Sequence, residues 1–447
     1  MNPRTLLALL VDRRRLARRD RWTRAELEAH QAAALKKLRG FAVERSRFYR
    51  RFHAGMESRR LDELPVLTKS TLMESFDELV TDPDVRLVDV RAHLASGAAG
   101  ELFLRRYRIA ATAGSTGAPG VFLHDEREWR AVLASYARAN DWAHVEAGLT
   151  HRLKLAVVSS RTPWHQSAIV GKTLESPFVQ TLRIDATQPL ERTRVELDAF
   201  QPESLVGYAS MLRILATEQL DARLRIHPKA ILSASEVLTR DSRARIRRAW
   251  GREPFDVYAA TEPAGVASEC DRHEGLHLYE DLVITEVVDD ANRPVPVGEV
   301  GAKVLVTVLF RRTQPLIRYE MSDCVALSAE SCSCGRPFAL LAGVQGRLED
   351  TLELPDGRGG KVDVRPNVFH AVLEQLDVRG WQVVRDKRGI RVLLAGAAAS
   401  VDPSNVERAI RAALIETHAA PPPIVVERVV EIPKTALGKT PLIAVEH

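Results

Sequence analysis

Residues 203–262 read ESLVGYASMLRILATEQLDARLRIHPKAILSASEVLTRDSRARIRRAWGREPFDVYAATE, and their periodicities decide the fold class. Glu203–Val206, Ala230–Ser233 and Phe255–Tyr258 are short apolar or aromatic runs of strand length. Tyr208–Gln219 and Arg240–Trp250 carry apolar residues at helical spacing between them. Strand–helix–strand–helix–strand implies parallel pairing with helices on the faces. Working outward, Leu153–Val158 is an earlier strand, and Leu282–Val288 and Ala302–Phe310 are later ones. Nearer the start, Thr23-Arg24-Ala25-Glu26 is a capping box that opens a helix running to Arg39. Leu64–Lys69 reads as extended chain and Ser70–Val80 as another helix.

The texture changes after Gly346. Turns at Pro355-Asp356-Gly357 and Gly359-Gly360 precede helix Asn367–Leu376, strands Gln382–Arg385 and Ile390–Leu394, helix Ser404–Thr417 and strand Ile424–Val430. This is an α+β unit of about 100 residues, the size of a small domain. The expected architecture is α/β. A large, multi-lobed N-terminal domain with mostly parallel sheets occupies 1–346, and a small, mobile α+β C-terminal domain occupies 347–447.

Composition excludes several classes. The chain has 447 residues, 45% hydrophobic and 28% charged, with Gly 25 and Pro 23, so collagen-like and low-complexity readings fail. No apolar run approaches the roughly 18 residues of a membrane span. The apolar stretch Thr5–Val11 is followed, not preceded, by Arg13-Arg14-Arg15, which is the wrong order for a secretory signal. Four Cys do not make a disulfide scaffold, so a reducing cytoplasm is expected. The net charge of +5 is uneven, since residues 1–60 hold 17 Lys+Arg against 6 Asp+Glu. That arm lacks interleaved aromatics or a zinc finger, so it reads as solvated helix faces, and no nucleic acid is expected.

Five motifs carry chemistry. Residues 112–120, TAGSTGAPG, form a Gly/Ser/Thr turn whose backbone N–H groups and hydroxyls suit phosphate oxygens; no Gly-Lys-Ser/Thr follows, so it is not a Walker loop. Tyr258-Ala259-Ala260-Thr261-Glu262 offers an aromatic face, a hydroxyl and a carboxylate suited to Mg²⁺ beside phosphates. Arg318–Asp323 ends in a carboxylate able to accept both ribose hydroxyls. Gly346-Arg347-Leu348-Glu349-Asp350 sits at the composition boundary, and Pro433–Lys439 ends in a glycine-flanked lysine.

Each motif is weak alone, but their order resembles the adenylate-forming superfamily of acyl-CoA synthetases and nonribosomal adenylation domains. Within it the chain looks like the phenylacetate–CoA ligase family, on Phe48-Tyr49-Arg50, Leu64–Lys69, Ser235-Glu236, Glu269-Cys270, Gly275-Leu276-His277, Pro315–Tyr319, Cys334-Gly335-Arg336 and Pro366–Phe369. The resemblance implies a two-step reaction. An acid attacks the α-phosphate of MgATP to give an acyl-adenylate and pyrophosphate, and an acceptor, usually the CoA thiol, then displaces AMP as the C-terminal domain rotates. It assigns Thr112, Ser115, Thr116 and Gly117 to the phosphates, Tyr258 to the adenine, and Ser235 and Glu236 to the adenine-binding loop. Thr261 goes to the α-phosphate, Glu262 to Mg²⁺, Asp323 with Arg347 to the ribose, Glu349 to the hinge and Lys439 to the reacting oxyanions. Three departures stand out: Ala118 and Gly120 replace the usual loop lysines, Ala259 follows Tyr258 where Gly is common, and Glu349 replaces the usual hinge Asp.

Cys270, His273 and His277 in one segment and Cys332 and Cys334 in another offer two pairs of S/N ligands for a structural Zn²⁺. The preferred set is Cys270, His277, Cys332 and Cys334, with His273 the rival; idle thiols and surface histidines are the alternative, and Cys324 reads as core. Trp142, Trp164 and His165 are candidates for an acid pocket. A carrier-protein thiol or amine as acceptor, nitrite as the activated acid, and a non-catalytic nucleotide-binding regulator stay open, as does a homodimer.

Overall fold

The structure is a computed structural model that describes residues 3–96, 101–112, 119–145, 151–173, 178–347, 350–364, 366–373, 375–376, 378–435 and 439–445, with backbone alone at 3, 4, 347, 367 and 371. Its centre is a nine-stranded sheet. Across it the strands run Asp323–Leu327, Leu340–Arg347, Leu276–Leu278, Ala264–Ser268, Phe255–Ala260, Ala230–Ala234, Ser204–Gly207, Leu153–Ser159 and Val179–Asp185. The α/β class expected from 203–262 is present, and the pairings from Phe255–Ala260 to Val179–Asp185 are parallel.

The sheet is mixed rather than mostly parallel. Beyond Phe255–Ala260 every pairing is antiparallel, because the chain turns back at 261–263 with no crossover helix. Leu282–Val288 and Ala302–Phe310 do not extend this sheet either. As Val283–Val288 and Lys303–Val308 they join Tyr319–Met321 in a separate antiparallel sheet.

Helices Leu190–Phe200, Ala209–Leu220 and Arg240–Trp250 cover one face of the parallel half. Leu197, Leu212, Leu215 and Ile246 pack there on Val158, Ile184, Leu205 and Ile231. Helix Glu126–Trp142 lies over the other face, with Ala139 against Leu232, Phe255 and Val257. The capping box at Thr23 forms and starts a helix that runs on to Arg45. The expected helix Ser70–Val80 is broken into Lys69–Glu74 and Phe76–Leu79 at Ser75, which caps the first piece.

Residues 352–443 enclose a core of their own, built on Phe369, Val383, Val392 and Ile410. Its sheet orders Ile424–Val429, Gly389–Ala395, Gly380–Asp386 and Ile443–Val445. The last strand pairs parallel to Gly380–Asp386, which fixes the chain just after Lys439.

Candidate active site

The parallel strands point their carboxyl ends toward one cleft of about 1650 Å³, the expected place for a ligand in an α/β sheet. Strand Ala230–Ala234 is followed by Ser235 at φ +69°, a left-handed backbone uncommon outside glycine. That turn carries Glu236 into the cleft wall. Strand Phe255–Ala260 leads into the 261–263 turn, closed by Ala264 at φ +68°, which sets Thr261 and Glu262 at its tip. Both line the cleft.

Tyr258 and Asp323 are brought together. The Tyr258 hydroxyl donates to Asp323 Oδ2 at 2.8 Å, with both side chains nearly buried. Glu262 Oε1 accepts from the Tyr319 hydroxyl at 3.4 Å, and burial followed by the Glu262 charge pushes that phenol well above its ordinary pKa. Gln166 donates to the Thr261 carbonyl at 3.4 Å and accepts from the Tyr136 hydroxyl at 3.0 Å, which steadies the turn from behind.

Thr112 closes the base of the phosphate-loop motif. Its N–H donates to the Gly120 carbonyl at 2.9 Å and its hydroxyl oxygen accepts from the Gly120 N–H at 2.8 Å. Ser115, Thr116 and Gly117 lie outside the described residues, as does Glu349; of Arg347 only the backbone is described, paired with Asp323.

Lys439 reaches the same cleft from the other unit. Its backbone closes a tight loop with Thr435, donating to Thr435 Oγ1 at 3.2 Å and accepting from Thr435 N at 2.8 Å. Its Nζ stands 5.5 Å from the Tyr208 ring centroid. Burial, then the Lys439 charge, lowers His165 to about 4, so this cleft histidine is neutral beside the lysine.

No family model matches the chain. It is 28% identical to the phenylacetate-coenzyme A ligase of Thermus thermophilus over 380 residues, covering 82% of this chain and 80% of that one. This similarity to a phenylacetate-coenzyme A ligase runs over most of both chains. A solved structure of 2-hydroxyisobutyryl-CoA ligase in the postadenylation state, in complex with 2-HIB-AMP, is 20% identical and overlays with a TM-score of 0.76, covering 96% of this chain and 92% of that one. The same enzyme in its thioesterification state, with 2-HIB-AMP and CoA, covers the same shares at 20% identity and overlays at 0.58.

The structure places Lys69 where sequence reasoning did not look. Leu67 bridges to Tyr319, with Leu67 N–H donating to the Arg318 carbonyl at 3.0 Å and Glu320 N–H donating to the Leu67 carbonyl at 3.0 Å. Two residues on, Lys69 lines the cleft, and its Cε stands 3.3 Å from where a Cβ on Gly120 would lie. The signal was Leu64–Lys69, whose short extended run ends in the only cation of the segment. Trp142 lies away from the cleft. It is buried against His277, Tyr279 and Phe338, and its indole donates to Asp20 at 2.8 Å. Trp164 is 40% exposed.

The ligand atoms of Cys270, His277, Cys332 and Cys334 all lie within 4.8 Å of one another. Cys270 Sγ is 3.7 Å from Cys332 Sγ, and Cys334 Sγ is 3.4 Å from His277 Nε2. A tetrahedral ion with metal–sulfur bonds of about 2.3 Å has ligand–ligand edges of about 3.5–3.8 Å, which these separations match. Burial holds His277 down at about 4, leaving a neutral ring with a lone pair. Burial raises Cys334, but hydrogen bonds from Arg336 outweigh it and hold the thiol below its ordinary value. The rival His273 turns instead to Glu269 Oε2 at 3.2 Å. Cys324 is buried and donates to the Ala302 carbonyl, away from this cluster.

Proposed function

We propose that this chain activates a carboxylic acid with MgATP as an acyl-adenylate and passes the acyl group to a thiol, with CoA the acceptor and an aryl or related acid the substrate. The observation that carries the reading is the convergence on one cleft of Lys439 from the C-terminal unit with Thr261, Glu262 and the Tyr258–Asp323 pair from the sheet. A binding regulator needs the nucleotide contacts alone and no lysine delivered from a second unit.

In this reading Asp323 accepts the ribose hydroxyls and the Tyr258 ring borders the adenine. Lys439 Nζ bridges the attacking carboxylate and an α-phosphate oxygen, offsetting the repulsion of two anions forced together. The carboxylate oxygen forms a bond to the α-phosphorus as the bond to pyrophosphate breaks. In the second step the thiolate adds to the acyl carbon and AMP leaves. Glu262, a carboxylate at the cleft, has the hard oxygen donor that Mg²⁺ takes; the ion would neutralise phosphate charge there. Lys69 supplies the fixed cation at the base of the phosphate loop that Ala118 and Gly120 do not. The better overlay on a postadenylation structure than on a thioesterification structure supports reading the present arrangement as the one that surrounds the adenylate.

Cys270, His277, Cys332 and Cys334 hold a structural Zn²⁺ in this proposal. None of the four cysteines is in a disulfide, in keeping with a reducing cytoplasm, and no described helix is long and apolar enough to cross a membrane. The test is pyrophosphate release against aryl acids, fatty acids and nitrite, each with and without CoA. Release with an aryl acid, followed by CoA-dependent AMP formation, is expected. Release with nitrite alone, or no release with any acid, would replace the reading.

A further inference from the structure

A buried arginine and a half-buried glutamate of the large unit are committed to backbone groups of the small one. Arg213 sits on helix Ala209–Leu220 and is 7% exposed. Its Nε donates to Asp241 Oδ2 at 3.0 Å, its Nη2 to the Val378 carbonyl at 2.8 Å, and its Nη1 to the Arg379 carbonyl. One carboxylate of its own unit and two successive carbonyls of the other therefore share the guanidinium fork. Glu236 does the same with opposite polarity. Its Oε2 accepts from the Ser210 N–H at 2.9 Å and its Oε1 from the Thr440 N–H at 3.1 Å.

These contacts are mechanically linked. Ser210 and Arg213 lie on the first turns of one helix, and Tyr208, under the Lys439 ammonium, caps it. On the other side, residues 378–379 lead directly into strand Gly380–Asp386, whose parallel partner is Ile443–Val445, three residues past Thr440. A third contact, from Lys434 Nζ to the Ala186 carbonyl at 2.9 Å, lies on the same side of the loop. Moving the small unit away would strip Arg213 of two acceptors and Glu236 of one donor, and would lift Lys439 out of the cleft in the same motion.

We infer that Arg213 and Glu236 are positioning residues that latch the C-terminal unit in the arrangement delivering Lys439, and so set how the protein divides its time between the two half-reactions. The inference rests on the proposed function for both half-reactions. Neither side chain needs to touch a reacting atom. Each contributes charge-assisted hydrogen bonds that exist in one arrangement and are lost in the other, so each biases the equilibrium by its differential free energy.

The test uses the full chain with Arg213→Met, which keeps the stem and removes the fork, beside Arg213→Lys. Pyrophosphate release measures the first half-reaction. Transfer from chemically supplied acyl-adenylate to CoA measures the second, and solution scattering with AMP bound measures closure. Arg213→Met is expected to lower adenylation by about tenfold, the scale of losing one hydrogen bond to a charged group. Transfer should be unchanged or faster, the scattering curve more extended, and Arg213→Lys intermediate. An equal fall in both half-reactions, unchanged adenylation, or scattering curves identical to wild type would overturn the latch. If Arg213→Met does not fold, Arg213→Lys is read against the same outcomes. If wild type releases no pyrophosphate with any acid, the functional reading falls, and the scattering comparison alone decides the latch.

Discussion

Asp323 and Lys69 would meet the two ends of a nucleotide by different physics, and single substitutions separate them. Asp323 Oδ2 already takes the Tyr258 hydroxyl at 2.8 Å, so the carboxylate is oriented before any ligand arrives. Asp323→Ala removes a bidentate acceptor and, with it, the acceptor of the Tyr258 hydroxyl. ATP and AMP affinity should both fall about 10²-fold, from two hydrogen bonds to a charged group at about 1.5 kcal/mol or more each. Calorimetry showing unchanged AMP affinity would refute the ribose assignment. Lys69, by contrast, stands over Gly120 at the base of the phosphate loop, so it should sense only the outer phosphates. Lys69→Met should weaken ATP and pyrophosphate about tenfold while leaving AMP within twofold. A parallel loss of AMP would mean that the lysine merely supports the loop, because AMP carries neither the β- nor the γ-phosphate.

At the scale of elements, the Cys/His cluster ties a loop before strand Leu276–Leu278 to the turn before strand Leu340–Arg347, and the two strands pair directly. A closed tetrahedral ion there would fix the antiparallel half of the sheet, where short strands bury little side chain. Elemental analysis of protein purified without added metal should find about one zinc per chain, and chelation should lower the melting temperature. Protein without zinc whose thiols at 270, 332 and 334 all titrate freely would remove the site. The cluster of Cys270, His277, Cys332 and Cys334 was readable because Cys and His in pairs have few other uses, and the contact of His273 with Glu269 agrees with the preference for His277. The βαβ half was likewise readable, since each strand in 203–262 is an apolar run between amphipathic helices. The antiparallel half was not. Ala264–Ser268 is built of small residues and Leu276–Leu278 is three residues long, so neither carries a period. Lys69 depends on the pairing of Leu67 with Tyr319, some 250 residues away, which no local pattern encodes.

For the whole molecule, buried titratable groups pull stability in opposite directions, so the sign must be taken group by group. Burial first, and Arg39 second, hold His53 at about 4, and neither of its ring nitrogens has a hydrogen-bond partner among the described residues. The unfolded chain binds that proton from about pH 6.5 downward and the native chain does not. Unfolding thus takes up a proton between about 6.5 and 4, and the stability linked to His53 is complete above 6.5 and lost as pH falls through that window. Asp256 runs the other way. Burial, then repulsion from Glu269, raises its carboxyl to about 7, outweighing Arg243. The native chain keeps a proton that the unfolded chain releases above about 3.9. Stability linked to Asp256 is therefore present below that value and lost as pH rises through 7. Denaturant unfolding of wild type, His53→Leu and Asp256→Asn at pH 5 and pH 8 separates the two. His53→Leu should gain stability relative to wild type at pH 5 compared with pH 8, because it has no proton to exclude. Asp256→Asn should gain at pH 8 compared with pH 5, because it has no buried charge to form. Two variants that shift by the same amount at both pH values would show that neither group is held away from its unfolded pKa, since linkage admits a pH-dependent difference only where the two states bind protons unequally.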